Sequence, residues 1–407
     1  MHTYHTPLDL VRERPPERPV ALVRPDAVAL GASWFRIKFP GETYYAVKAN
    51  PSPWVIRAVL KGGVEAFDAA SITEIELVRT AAPQAKIAFM HPVKSRSAIH
   101  RAWSDFGVTT FAVDSLEEVE KILSVTGGGS ELSLIVRLEV ETRGAAYSLY
   151  GKFGATAAEA PDLLLSARRR SGALMGVSFH VGSQCLLPSA FEAAMAQASR
   201  ALARAGVMAD VVDVGGGFPS IYPGLNPPPM ADFVAAIERG LSRMRVHESA
   251  QLWCEPGRAL VAEAGSLLLR VDLRKDDALY VNDGAYGALY DAAHNRWPFP
   301  ARAVREPDAA NAPERPFRLF GPTCDSVDVM AGPFMLPGDI GEGDFIEIGM
   351  LGAYGVAMAS RFNGFGEIET AICTAPPMAS MYGLGPDRLE AVGERWAASA
   401  AEQGRRV

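Results

Sequence analysis

The sequence predicts an α/β protein, a (β/α)8 TIM-like barrel joined to a second, antiparallel β-domain. Three observations carry this. Short β-branched runs alternate with helical patterns through the first two thirds of the chain. Eight such steps fill roughly 230 residues, close to the length of a closed eightfold barrel. Beyond Glu255 the alternation gives way to β-type runs broken by Pro and Gly turns.

Residues 1–23 are rich in proline and arginine and close on the apolar run Val20-Ala21-Leu22-Val23, read as one strand. A helix is expected over 26–39, stopped by Pro40-Gly41. The strands follow at 43–47, 64–67, 87–90, 108–113, 132–138, 174–180, 211–214 and 251–254. Helical patterns fill the gaps, among them 72–80, 116–123 and 191–205. Strict β-α alternation requires a parallel sheet. After a small-residue stretch at 259–271, β-type runs recur at 278–282, 317–321 and 344–348, with a proline-rich loop at 298–316. The tail beyond Pro376 is read as a short helix or disordered. The expected division is a barrel at 24–265 and a β-domain made of 1–23 and 266–407.

Bulk properties exclude several classes. A net charge of −7 without long basic runs argues against nucleic acid. The four cysteines, Cys185, Cys254, Cys324 and Cys373, form no CxxC pair, which argues against zinc and against a disulfide framework. No metal is expected. No run is long enough to span a bilayer, so a cytoplasmic protein without a membrane partner is expected.

The strand ends carry the chemistry. In order they present Lys48, Asp68, His91, Asp114, Arg137, His180, Gly215 and Glu255. Barrel enzymes build their sites at the carboxyl ends of strands. A lysine held there can lose its proton by desolvation and attack an aldehyde, although a lone lysine would more often be a surface side chain. Gly215-Gly216-Gly217 follows the seventh strand and can turn backbone N–H groups toward a phosphate. Glu255-Pro256-Gly257-Arg258 follows the eighth, with Arg258 a forked donor and Glu255 a carboxylate deep enough to face a ring nitrogen. An amine for an aldehyde, a phosphate cradle and an acid for a pyridine nitrogen together describe pyridoxal 5'-phosphate.

Six segments occur in an order that resembles the alanine-racemase-fold (fold type III) basic amino acid decarboxylases. They are Tyr45-Ala46-Val47-Lys48-Ala49-Asn50, Phe67-Asp68-Ala69-Ala70-Ser71, His180-Val181-Gly182-Ser183-Gln184, Gly215-Gly216-Gly217-Phe218-Pro219, Glu255-Pro256-Gly257-Arg258 and Gly321-Pro322-Thr323-Cys324-Asp325-Ser326. The pattern is most similar to the ornithine/lysine decarboxylase group, over about residues 20–370.

The resemblance implies specific roles. Lys48 would hold the cofactor covalently and Glu255 would meet the pyridinium nitrogen. Ser183, Gly216, Gly217, Gly257, Arg258 and Tyr354 would bind around the phosphate. His180 would stack on the ring, with Arg137 near it, and Asp68 and Glu74 would support the lysine. The site would be shared in a homodimer. Cys324 would deliver a proton to the product, Asp291 and Asp325 would receive the distal ammonium of the substrate, and Tyr290 and Phe362 would line the pocket. The implied reaction converts L-ornithine to putrescine and CO2 in polyamine biosynthesis, with L-lysine to cadaverine close behind. One methylene separates these substrates, worth about 1–3 kcal/mol. Asp325 after Cys324 departs from the diaminopimelate branch, where glutamate is typical. Diaminopimelate or arginine decarboxylation, racemisation, and a non-catalytic regulatory homologue are the rival readings.

Overall fold

Eight strands close into a parallel barrel in the computed structural model, which describes residues 1–141, 144–147, 151–295, 297–306 and 312–390. In chain order they are Glu42–Ala46, Ala66–Ala69, Lys86–Phe89, Thr110–Val113, Ser133–Arg137, Met175–Ser178, Val211–Asp213 and Gln251–Cys254. Each pairs in parallel with its neighbour in sequence, and the eighth returns to the first through Trp253↔Glu42 and Cys254↔Thr43.

Helices follow the first seven strands, at Pro53–Lys61, Ile72–Ala81, Arg96–Ser104, Leu116–Thr126, Ala160–Arg170, Ser189–Ala205 and Met230–Leu241. Three begin on a serine: the Ser71, Ser95 and Ser115 hydroxyls accept from the backbone N–H groups of Glu74, Ala98 and Glu118. Each satisfies one of the N–H groups that a helix start leaves open. The helix before the first strand, Pro25–Lys38, matches its expected span to a residue at each end. Among the unexpected elements are a two-stranded antiparallel ladder of Ala145–Tyr147 with Ser183–Cys185 and the helix Pro7–Glu13.

Alternation along the strands decides what fills the barrel. Tyr44, Ala66, Ala88, Ala112, Ile135, Val211 and Trp253 pack together in its interior. Side chains of a strand repeat their direction every two residues. The step from this apolar layer therefore reaches Asp68 after Ala66, Asp114 after Ala112, Arg137 after Ile135, Asp213 after Val211 and Glu255 after Trp253. The polar rim is the next layer of the barrel's own packing.

The chain divides into two compact units. The barrel unit holds 29–219 and 228–257, and the other holds 1–28, 220–227 and 258–407. The short segment 220–227 thus belongs with the β-unit, which the pattern of strands did not indicate. In the β-unit, five strand ladders are antiparallel and three are parallel, namely those joining Thr3–Tyr4 to Glu369–Cys373, Glu369–Cys373 to Val20–Val23, and Ala278–Val281 to Glu314–Phe320. The sheet is therefore mixed, because its first strands arrive from the far end of the chain. Buried Glu347 binds Arg24, Arg302 and Ser266, tying the N-terminal segment to the later strands. The expected loop at 298–316 contains the strand Ala301–Ala303 and the start of Glu314–Phe320, while 307–311 lie outside the described residues. The end of the tail, 391–407, also lies outside them. Among the described residues no helix is long and apolar enough to cross a membrane.

Candidate active site

Lys48 leaves the first barrel strand in a single 3-10 turn, Val47–Ala49. Buried Tyr45 fixes this turn by donating its hydroxyl to the Asn50 carbonyl at 2.9 Å. The Lys48 ammonium lies 2.7 Å from Asp68 Oδ2, and that carboxylate is buried at the end of the second strand. Asp68 thus aims the amine while the lysine side chain stays accessible, at 42% exposure. Glu74 sits one turn into the next helix and accepts from the Ala70 N–H at 2.7 Å. Burial, opposed by that bond, raises its carboxyl above the ordinary value.

The loop after the seventh strand is built for close approach. Gly217 has φ +100°, and a Cβ there would meet the Gly182 carbonyl oxygen at 2.5 Å. A Cβ on Gly216 would lie 3.0 Å from His180 Nε2 and 2.9 Å from the Glu255 carbonyl oxygen. Phe218 anchors the loop below, with its ring 5.2 Å from Phe35 and 5.0 Å from Phe191. His180 Nδ1 accepts from the Gly182 N–H at 3.0 Å, which places the ring proton on Nε2. Burial, with Arg137 and Lys48 nearby, holds this imidazole well below its usual range, so it is neutral. Ser183 stands in the two-stranded ladder opposite Tyr147, next to Gly182 in sequence. Arg137 places its guanidinium 5.7 Å from the centre of the Phe153 ring. His91 meets the same ring edge-on at 5.1 Å, and Asp114 accepts from the Gly154 N–H.

Glu255 begins just past the eighth strand, its N–H donated to the Gly215 carbonyl at 2.8 Å. Burial raises its carboxyl well above the usual range, and the negative charges of Asp213 and Asp68 add to the effect. Its Oε1 is buried without a hydrogen-bond partner. A buried oxygen left open in this way is costly unless a ligand completes it. An attachable amine, a cradle that side chains would fill and an orphaned carboxyl oxygen fit the aldehyde, phosphate and ring nitrogen of pyridoxal phosphate.

The β-unit holds a separate group of its own. Arg258 is buried and donates to Asp291 Oδ2 at 2.6 Å and to the Tyr222 hydroxyl at 2.8 Å. Its guanidinium lies 4.9 Å from the centre of the Tyr354 ring. Asp291 is therefore engaged by an arginine, whereas the sequence reading gave it only a substrate ammonium. Tyr290 stacks on His294 at 4.0 Å. Cys324 and Asp325 stand on a turn organised by buried Asp328, which accepts from the N–H groups of Ala285 and Thr323 and from the Thr323 hydroxyl. The Cys324 thiol lies 3.3 Å from Asn363 Oδ1, and Asp325 accepts from the Tyr286 hydroxyl at 2.6 Å. Tyr286 packs at 4.7 Å on Phe362, which is 41% exposed. Asp213, Tyr222, Tyr286, Asp328 and Asn363 escaped the sequence reading. Of these only Asp213 carried a signal, two residues beyond an inward Val211 and two before the first of the glycines.

Fold and site together define a pyridoxal phosphate-dependent barrel enzyme with an appended β-domain. The chain belongs to the pyridoxal-dependent decarboxylases: the model of that family's pyridoxal-binding domain matches residues 31–262. A lysine/ornithine decarboxylase of Selenomonas ruminantium is 32% identical over 343 residues, covering 82% of this chain and 84% of that protein. The arginine decarboxylase of Paramecium bursaria Chlorella virus, solved with agmatine, superposes with a TM-score of 0.79 at 26% identity, covering 89% of this chain and 98% of the other. A Vibrio vulnificus lysine/ornithine decarboxylase solved with cadaverine gives a TM-score of 0.77 at 28% identity, covering 91% and 99%.

Proposed function

We propose that this decarboxylase acts on L-ornithine, releasing putrescine and CO2, with L-lysine as a slower second substrate. One observation carries the choice of a substrate with a distal cation. Asp325, held by Tyr286, stands beside the Cys324 thiol on one turn. The Tyr286 bond keeps the Asp325 carboxyl below its ordinary value, so it is ionised at neutral pH. An ionised carboxylate beside a proton donor suits an amino acid with an ammonium at its far end. The dual lysine/ornithine specificity in the names of two relatives supports the same class.

When bound, pyridoxal phosphate supplies an electron-accepting ring that stabilises the charge left as CO2 departs. The chain's own residues do the rest in this reading. Lys48 provides the attaching amine, oriented by Asp68. Gly216, Gly217, Ser183, Gly257, Arg258 and Tyr354 receive the phosphate. Neutral His180 offers a flat, uncharged face, with Arg137 near it, and Glu255 keeps a proton at the ring nitrogen. The Cys324 thiol returns a proton to the carbon that lost CO2. Asp291 and Asp325 take the distal ammonium, and Tyr290 and Phe362 enclose it. A side chain without that cation would leave both acids unpaired.

Two copies are proposed to share each site, with Cys324 and Asp325 of one serving the barrel of its partner. Val327, Val356, Met358, Phe362 and Phe365 expose apolar side chains in the segments around that turn, as a covered face requires. The scattered cysteines favour the cytoplasm. The test is a steady-state comparison of ornithine, lysine, arginine and meso-diaminopimelate, with CO2 measured directly. Ornithine should give the highest kcat/KM. A tenfold preference for arginine or diaminopimelate would overturn the substrate, and racemisation without CO2 would overturn the reaction.

A further inference from the structure

The buried acid Asp213 has no part in the site as derived so far, yet it lies beside Glu255. Asp213 pairs with Trp253 in the barrel register, and paired residues of parallel strands share a face. Glu255, two residues beyond Trp253, continues that face. The backbone closes the two together: Val214 N–H donates to Trp253, Glu255 N–H donates to Gly215, and Gly215 N–H donates to Asp213 Oδ1 at 2.8 Å. The two acids interact electrostatically on that face, and Asp213 is 1% exposed. One oxygen of each, Asp213 Oδ2 and Glu255 Oε1, is buried without a partner.

Two ionised carboxylates buried side by side repel each other, and sharing one proton relieves that repulsion. We propose that Asp213 is a positioning residue that stores, with Glu255, the single proton facing the cofactor's ring nitrogen. The pair then carries one negative charge. When the nitrogen arrives, the stored proton lies between it and Glu255, and the charge of the pair balances the ring cation. No proton need enter from solvent.

The surroundings are consistent with this. Glu255 also faces Asp68, whose charge opposes ionisation, and Lys48, whose charge favours it. Tyr44 and Cys254 lie near the pair, and burial holds both above their ordinary values. Asp213 itself is raised to about 6, first by burial. The Gly215 N–H explains the division of labour, because it favours the ionised form on Asp213 and leaves the proton to Glu255.

The inference rests on Glu255 meeting the ring nitrogen, and its tests do not depend on turnover. The difference spectrum of the apoprotein against Glu255→Gln at neutral pH, which cancels other buried acids such as Glu263, should show the infrared carbonyl band of a buried protonated carboxylic acid. The band should shift in frequency in Asp213→Asn, where Glu255 keeps its proton but no longer shares it. Calorimetry of cofactor binding in buffers of different ionisation enthalpy should show no proton taken up for the ring nitrogen by the unaltered chain. Absence of the difference band, or its persistence unshifted in Asp213→Asn, would overturn the proposal. Uptake of about one proton per site by the unaltered chain would overturn it as well. The decarboxylase reading fails separately, through absence of CO2.

Discussion

Arg258 and Asp291 form a buried ion pair, Nη1 to Oδ2 at 2.6 Å, in which the proposed phosphate ligand holds the proposed ammonium receptor. A second contact, Nη2 to Oδ1, is longer at 3.5 Å, so one edge of the carboxylate is tightly bound. The two groups that would recognise opposite ends of cofactor and substrate are thus fixed by one another.

Asp291→Asn should therefore act twice. Loss of a charge-assisted hydrogen bond to the substrate, about 1.5–3 kcal/mol, should raise KM for ornithine about ten- to a hundredfold. The buried guanidinium left without its counter-charge should lower the melting temperature of the apoprotein. Kinetics and thermal unfolding check the two effects independently. Lower stability with an unchanged KM would reduce Asp291 to a support for Arg258.

Lys48→Ala should abolish turnover and borohydride trapping of the cofactor. Cys324→Ala should leave the cofactor bound and slow product formation. After subunit exchange, an equal mixture should recover about a quarter of full activity, because half the dimers would carry one intact site of two. No recovery despite demonstrated exchange would exclude a shared site.

Gly217→Ala tests the cradle. Its φ of +100° is strained for any L side chain, and the new methyl would collide with the Gly182 carbonyl. Cofactor affinity should fall at least tenfold, read by absorbance titration of the apoprotein, while the far-ultraviolet circular dichroism stays that of the folded barrel.

Glu263, in the β-unit, gives a pH prediction. Burial raises its carboxyl to about 7, against hydrogen bonds from the Ser380 hydroxyl and the Met381 N–H. The folded chain keeps this proton to a higher pH than the unfolded chain does. The resulting stabilisation is complete below the ordinary carboxyl value and is lost as pH rises through about 7. Glu263→Gln should remove this dependence. The stability of the unaltered chain relative to the variant should fall by on the order of 3 kcal/mol between pH 4.5 and 7.5. Denaturant unfolding at several pH values gives the slope directly.

The barrel was legible because its signals are local. Strands such as Gln251–Cys254 carry their own apolar pattern, and the residue that ends each one lies on the rim. Lys48 and Glu255 could be located by counting along single strands. What escaped depends on pairing across the sequence. Asp213 acquires meaning only beside Glu255, and Asp328 only through its bonds to Ala285 and Thr323. The Arg258–Asp291 pair joins residues 33 apart, and no periodicity connects them. The parallel ladders of the β-sheet were hidden for the same reason, since Val20–Val23 finds Glu369–Cys373 nearly a chain length later.

That last ladder sets an order of events on the ribosome. Val20–Val23 emerges early, but its two neighbours, Gly265–Lys275 and Glu369–Cys373, are made much later. At about 5–20 residues per second, the first of these appears only after roughly 10–50 seconds and the second after roughly 20–70 seconds. All eight barrel strands are translated before Glu369–Cys373, so this apolar segment must wait with both edges open while the barrel is completed. The nascent chain is most vulnerable to intermolecular strand pairing during that interval, and chaperone demand should concentrate on its first two dozen residues.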